Sequence, residues 1–179
     1  MSRLRAIAPL MLLATLIGCA GRSPELATVP EVDLDRFMGD WYVIAHIPAF
    51  VECNAYNAIE SYERNGDRIN TTFTFRNKGF DGPEKQYEPN AIVTDTDSNA
   101  VWGMQFLWPF RSDFRIVHLD EDYGTTIIGR NKRDYVWIMA REPELSDEAY
   151  EALTKQVAAM GYDLTELRRV PQRWQNSAP

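Results

Sequence analysis

From residue 40 to residue 141 apolar and polar positions alternate with a period of two, broken at short polar or Pro/Gly stretches. The clearest run is 67–77, where Ile69, Thr71, Phe73 and Phe75 share one face and Asn70, Thr72, Thr74 and Arg76 the other. Similar runs predict strands over 40–47, 56–64, 84–94, 100–108, 112–119, 123–130 and 134–141. Asn65-Gly66 is a two-residue hairpin signal, and polar turns fall at 95–99, 120–122 and 131–133. Pro89 lies inside the 84–94 run and predicts a bent or partly unpaired strand. Pro109 ends the run before it.

The period changes at both ends. Asp33 is a plausible N-cap for a short turn over 32–38, and Gly39 reverses the chain into Trp41, Val43 and Ala45, which alternate with Tyr42, Ile44 and His46. After Ser146, Ala149, Tyr150, Leu153, Val157 and Met160 recur at helical spacing, with Gly161 where a helix stops. A last short strand is expected over 165–170. Eight strands with short connections and one late helix predict an all-β fold: an eight-stranded antiparallel up-and-down barrel with a C-terminal α-helix. Closure removes exposed sheet edges and encloses room for one small ligand.

The first residues do not follow this pattern. Arg3 and Arg5 precede an apolar run over 6–17, too short to span a bilayer, which ends in Leu16-Ile17-Gly18-Cys19. This resembles a bacterial lipobox, so 1–18 is expected to be a lipoprotein signal peptide, Cys19 the lipidation site, 19–31 a tether and 32–179 the folded domain. Ala20 after the Cys resembles the outer-membrane sorting signal of Gram-negative lipoproteins. With Cys19 acylated, Cys53 would stand alone, and no intrachain disulfide is expected. The net charge of -7, without a basic run past the first residues, argues against nucleic acid as a partner. Two His and one remaining Cys at no ligand spacing give no metal site, and no cofactor is expected.

Gly39 and Trp41, then Asp122-Tyr123, then Arg141 occur in an order that resembles the lipocalin family, in its bacterial outer-membrane lipoprotein branch. The stretches 131–138, 140–143 and 108–110 strengthen that resemblance, which covers about 32–170. It implies that Gly39, Trp41, Asp122, Tyr123 and Arg141 meet at the closed barrel end, with Arg141 packed over Trp41. Glu121 stands where the family carries Thr.

The resemblance also implies a lipid-anchored carrier at the periplasmic face of the outer membrane, binding or storing fatty acids or lysophospholipids, and no enzymatic activity. Phe73, Phe75, Trp102, Met104, Phe106, Phe114, Ile116, Tyr135, Trp137 and Met139 lie on the more apolar faces of their strands. They fit a ligand cavity or a solidly filled, non-binding barrel equally well. By the family's register Glu60 and Tyr62 look inward, and His118 shares a face with Phe114 and Ile116. Glu60 and His118 are therefore candidates for orienting a polar head group, unless they face solvent or a neighbour. Cys53 raises a second function class, a thiol-dependent lipid isomerase or hydrolase, which would require a nearby activating group such as His46. The apolar tip at 108–110 suits a membrane or a second copy of the chain, as a homodimer.

Overall fold

A computed structural model describes residues 24–48 and 52–174. The expected signal peptide, Cys19 and much of the expected tether lie outside the described residues.

A one-turn helix, α1 (Leu34–Phe37), opens the domain, and the Asp33 carboxylate accepts the N–H groups of Asp35 and Arg36. Ten strands follow: β1 (Gly39–Ile47), β2 (Ala55–Asn65), β3 (Arg68–Asn77), β4 (Glu84–Tyr87), β5 (Asn90–Asp95), β6 (Val101–Leu107), β7 (Phe110–Leu119), β8 (Thr125–Gly129), β9 (Val136–Ala140) and, after helix α2 (Asp147–Ala159), β10 (Arg168–Arg169). All pairings are antiparallel, in the order β1-β2-β3-β5-β6-β7-β8-β9, and β9 pairs back with β1. The result is the closed eight-stranded barrel with one C-terminal helix that the alternation predicts.

The predicted 84–94 strand is two strands. Pro89 has no N–H to give a ladder, so β4 pairs only with the upper part of β3, and β5 continues the barrel. The hairpin after β2 sits one residue later than the Asn65-Gly66 signal. Asn65 pairs with Arg68, leaving Gly66-Asp67 as the loop, with Gly66 at φ +61°.

The barrel has two apolar clusters. The inner one includes Phe37, Trp41, Val43, Tyr62, Trp102, Phe114, Ile116 and Met139. The outer one joins Ile44, Ala45, Ile127 and Ile138 to Leu153 and Val157 of α2. Ser146 caps α2 by accepting the Ala149 N–H.

At the closed end the Trp41 ring is fully buried and its indole N–H donates to the Phe37 carbonyl at 2.9 Å. Tyr123 O–H accepts the Asp33 N–H at 2.9 Å, and the Arg36 guanidinium lies over the Tyr123 ring. Gly39 makes the sharp entry at φ +90°, where a side chain would be strained. One expectation changes here: Asp122 is exposed, and Asp120 is the carboxylate that builds the β7–β8 turn. It accepts from the N–H groups of Gly124 (2.6 Å) and Thr125 (2.9 Å).

The C-terminal segment closes a seam. Above Tyr42, β1 leaves β2 and pairs with β10 instead, through Ala45–Arg169 and His46–Arg168. Gln172 donates to the Val43 and Ala58 carbonyls, and the Asn57 N–H donates to the Pro171 carbonyl, so this segment bridges the two strands.

Candidate functional site

The turns at 95–99 and 120–124 lie with Trp41 at the closed end, so the β6–β7 hairpin and the 130–135 loop lie at the other, open end. There the inner faces of the strands leave a cavity of about 560 Å³. Its walls include Phe73 of β3, Met104 and Phe106 of β6, Phe114 of β7 and Trp137 of β9, with Tyr87, Pro89 and Tyr135 around them. Phe106 is at the rim and 64% exposed. The volume falls within the range of about 300–1,000 Å³ typical of small-molecule pockets, and the lining is mainly apolar with a few polar groups.

The expected cavity residues separate by depth. Glu60, Phe73, Met104, Phe106, Phe114, Tyr135 and Trp137 line the cavity. Tyr62, Trp102, Ile116 and Met139 do not; they fill the lower half of the barrel as part of the inner cluster. The reason is aromatic bulk: Phe37, Tyr62, Trp102 and Phe114 stack edge and face on one another at centroid distances of 4.9–6.1 Å, and this stack forms the cavity's base. Phe75 is also outside the lining, buried against Phe73 and Tyr87.

Two bulges reverse expected directions. The β1–β9 register shifts between Val43 and Ala45, so Ile44 and Ala45 both join the outer cluster. His46 then returns to the inside, opposite Trp137, and is 3% exposed. The β7–β8 register shifts between Ile116 and His118. His118 therefore pairs with Ile127, whose side chain belongs to the outer cluster, and it does not share the face of Phe114 and Ile116. His118 is half-buried, and that burial lowers its pKa.

The polar equipment of the cavity is mostly acidic. Glu60, on β2 opposite Phe73, is 2% exposed, and its Oε2 has no hydrogen-bond partner. Burial, reinforced by the charge of Glu52, pushes its carboxyl well above the usual carboxylate range. Just below it, the Tyr62 hydroxyl is also buried without a partner, and burial with the nearby Glu60 raises its pKa. Glu52 is held from two sides: the Trp137 indole N–H donates to Oε2 at 3.1 Å and the Tyr135 hydroxyl to Oε1 at 3.5 Å. His46 Nδ1 stands 3.4 Å from Glu52 Oε2, at ion-pair distance but outside hydrogen-bond geometry. Arg130, just past β8, also lines the cavity, with Nη1 3.5 Å from Asp134 and Nε buried without a hydrogen bond.

Glu52, Tyr87, Pro89 and Arg130 are cavity residues that the alternation did not single out. Arg130 was legible, because it continues the parity of Ile128, which faces inward. Glu52 was not, because it enters the barrel from a loop without periodicity. Cys53 is exposed beside it. His46, the residue that could have activated a thiol, instead faces the carboxylate of Glu52 inside the barrel. Such a site can desolvate an apolar chain and satisfy a polar head with buried, partly unpartnered groups.

A closed barrel with a solid base, an apolar cavity and a few buried polar groups defines a calyx-type small-molecule binding protein. Residues 32–172 match the family model described as a lipocalin-like domain, and the chain belongs to that family, whose members bind small hydrophobic ligands. It is 29% identical over 161 residues to temperature-induced lipocalin-1 of Arabidopsis thaliana, covering 83% of each chain. It is 26% identical over 181 residues to the outer membrane lipoprotein Blc of Escherichia coli, covering 92% of this chain and 96% of that one. Among solved structures, insecticyanin from the tobacco hornworm Manduca sexta superposes with a TM-score of 0.66 at 15% identity, over 87% of both chains, a likeness of fold.

Proposed function

We propose that the protein is a lipid-anchored carrier of single-chain amphiphiles, fatty acids or lysophospholipids, at the periplasmic face of the outer membrane, where it takes up, stores or moves membrane lipids. The observation that carries this reading is the pairing of an apolar cavity of about 560 Å³ with buried polar atoms in its lining that lack partners: Glu60 Oε2 and Arg130 Nε. An acyl chain suits the Phe73–Met104–Phe114–Trp137 walls. The Glu60 carboxyl, which burial pushes well above the usual carboxylate range, can in its protonated form donate to a ligand oxygen, while Arg130 offers a cation to a carboxylate or phosphate. The anchor rests on Cys19 and on the relative that is an outer membrane lipoprotein.

A displacement titration with a fluorescent fatty acid tests the binding. Saturable one-to-one binding, reversed by lysophospholipid, is expected; no saturable uptake would leave a barrel that is structural only. Incorporation of labelled palmitate, abolished by Cys19→Ala, tests the anchor separately.

A further inference from the structure

Among the described residues the exposed surface carries one concentrated apolar feature, the β6–β7 hairpin at the cavity mouth. Phe106, Leu107, Trp108 and Phe110 are 64%, 70%, 80% and 72% exposed, where isolated apolar residues would be ordinary. Phe106 also lines the cavity, so the apolar tip is continuous with the binding site.

The path of the chain's start supplies a second, independent observation. Residues 24–33 run down the outside of the barrel from mouth to floor. The Leu26 N–H donates to the Asn131 side chain in the mouth loop at 2.8 Å, the Val29 N–H to the Ile116 carbonyl halfway down, and the Val32 N–H to the Ser98 carbonyl at the floor. Pro24 is therefore at the mouth end, beside Arg133 and Met160. Cys19 precedes it by five residues. Fully extended, that distance is at most about 18 Å, whereas a nine-residue strand such as β1 spans about 30 Å. A bilayer-embedded Cys19 would keep the mouth at the membrane and could not hold the floor there.

Charge differs between the two ends. The floor turns carry Asp95, Asp97, Asp120, Glu121 and Asp122, while the mouth is balanced, with Lys78, Lys85, Arg111, Lys132 and Arg133 against Asp81, Glu84, Glu88, Asp113 and Asp134. An anionic bilayer therefore repels the floor more strongly than the mouth.

From these three features we infer that the 106–110 hairpin docks into the lipid headgroup region, so that the barrel opens directly onto the bilayer and its ligand passes between membrane and cavity without crossing water. Trp and Phe at a tip are suited to that interface, where an amphipathic ring gains most. The orientation rests in part on the Cys19 anchor proposed above; the hairpin chemistry does not.

The test uses the full chain, purified from membranes and reconstituted on phosphatidylethanolamine–phosphatidylglycerol vesicles with brominated acyl chains. The brominated lipid is expected to quench tryptophan fluorescence in the wild type, and Trp108→Phe is expected to lose that quenching while still floating with the vesicles. Trp108→Ser with Phe110→Ser should keep the urea midpoint and the affinity for free fluorescent fatty acid, since neither side chain lines the cavity, and should slow fatty-acid transfer from vesicles. A protein that floats without Trp108-dependent quenching would overturn the docking and leave the anchor intact. A protein that is quenched through Trp108 but floats only weakly would support the docking and refute the anchor. Trp108-dependent dimers without quenching would assign the hairpin to a second copy and overturn the inference.

Discussion

The guanidinium carbon of Arg141 lies 3.8 Å from the centroid of the Trp41 ring. The same side chain donates to the carbonyls of Asp40 (2.7 Å), Arg36 (2.8 Å), Phe37 (3.1 Å) and Met38 (2.8 Å). One residue thus satisfies the free carbonyls at the end of α1 and roofs the buried Trp. Arg141→Ala is expected to destabilise the protein by about 2–4 kcal/mol, from charge-assisted hydrogen bonds and the cation–π contact together. Arg141→Lys should recover only part, because an ammonium cannot form the planar fork. Urea unfolding measures both.

Glu60 makes stability depend on pH in a definite direction. Unfolded, it ionises near its ordinary value of 4.5, and folded it keeps its proton well above that. Between those two points the unfolded chain binds fewer protons, so this group's contribution is full at acid pH and is lost as pH rises. Glu60→Gln cannot ionise. The urea midpoint of the variant should therefore gain on the wild type as pH rises above that ordinary value; a constant difference would refute the buried acid.

Cavity and shell are separable by substitution. Met104→Trp puts bulk into the cavity and should weaken fluorescent fatty-acid binding by about tenfold or more, equivalent to about 1.4 kcal/mol. His118→Ala should leave that affinity unchanged within error, because the bulge in β7 places His118 opposite the outward-facing Ile127.

Gly129 is required for closeness and not for turning. A Cβ there would meet the Tyr162 hydroxyl at 2.7 Å and Leu26 Cδ2 at 2.8 Å. The Tyr162 hydroxyl is held by accepting the Arg130 N–H at 2.9 Å, and the Leu26 side chain is buried in the outer apolar cluster. Gly129→Ala is expected to cost about 1–3 kcal/mol in thermal or urea unfolding, as overpacking of a filled site does.

Alkylation of Cys53, which is exposed, should leave ligand affinity intact. Loss of a lipid-converting activity on the same treatment would instead establish the thiol-dependent reading.

Much of the barrel was legible without coordinates. Period-two alternation fixes which side of a strand is apolar, turn residues fix where it reverses, and eight such runs favour closure because it leaves no free edge. The floor motif was legible through its resemblance to the lipocalin family: local chemistry marks Gly39 and Trp41 as a tight entry, but only the order of Gly39, Trp41, Tyr123 and Arg141 implied that they meet. Tertiary structure decided what alternation cannot encode. A bulge shifts parity by one residue, and its cost is settled by the partner strand; this turned His46 inward and His118 outward. Cavity depth depends on how far the rings of Phe37, Tyr62, Trp102 and Phe114 stack up the barrel, a sum of volumes that no single position reveals. Glu52 reaches the cavity from a loop, where side-chain direction has no period, and only the closed fold brings it to Trp137 and His46.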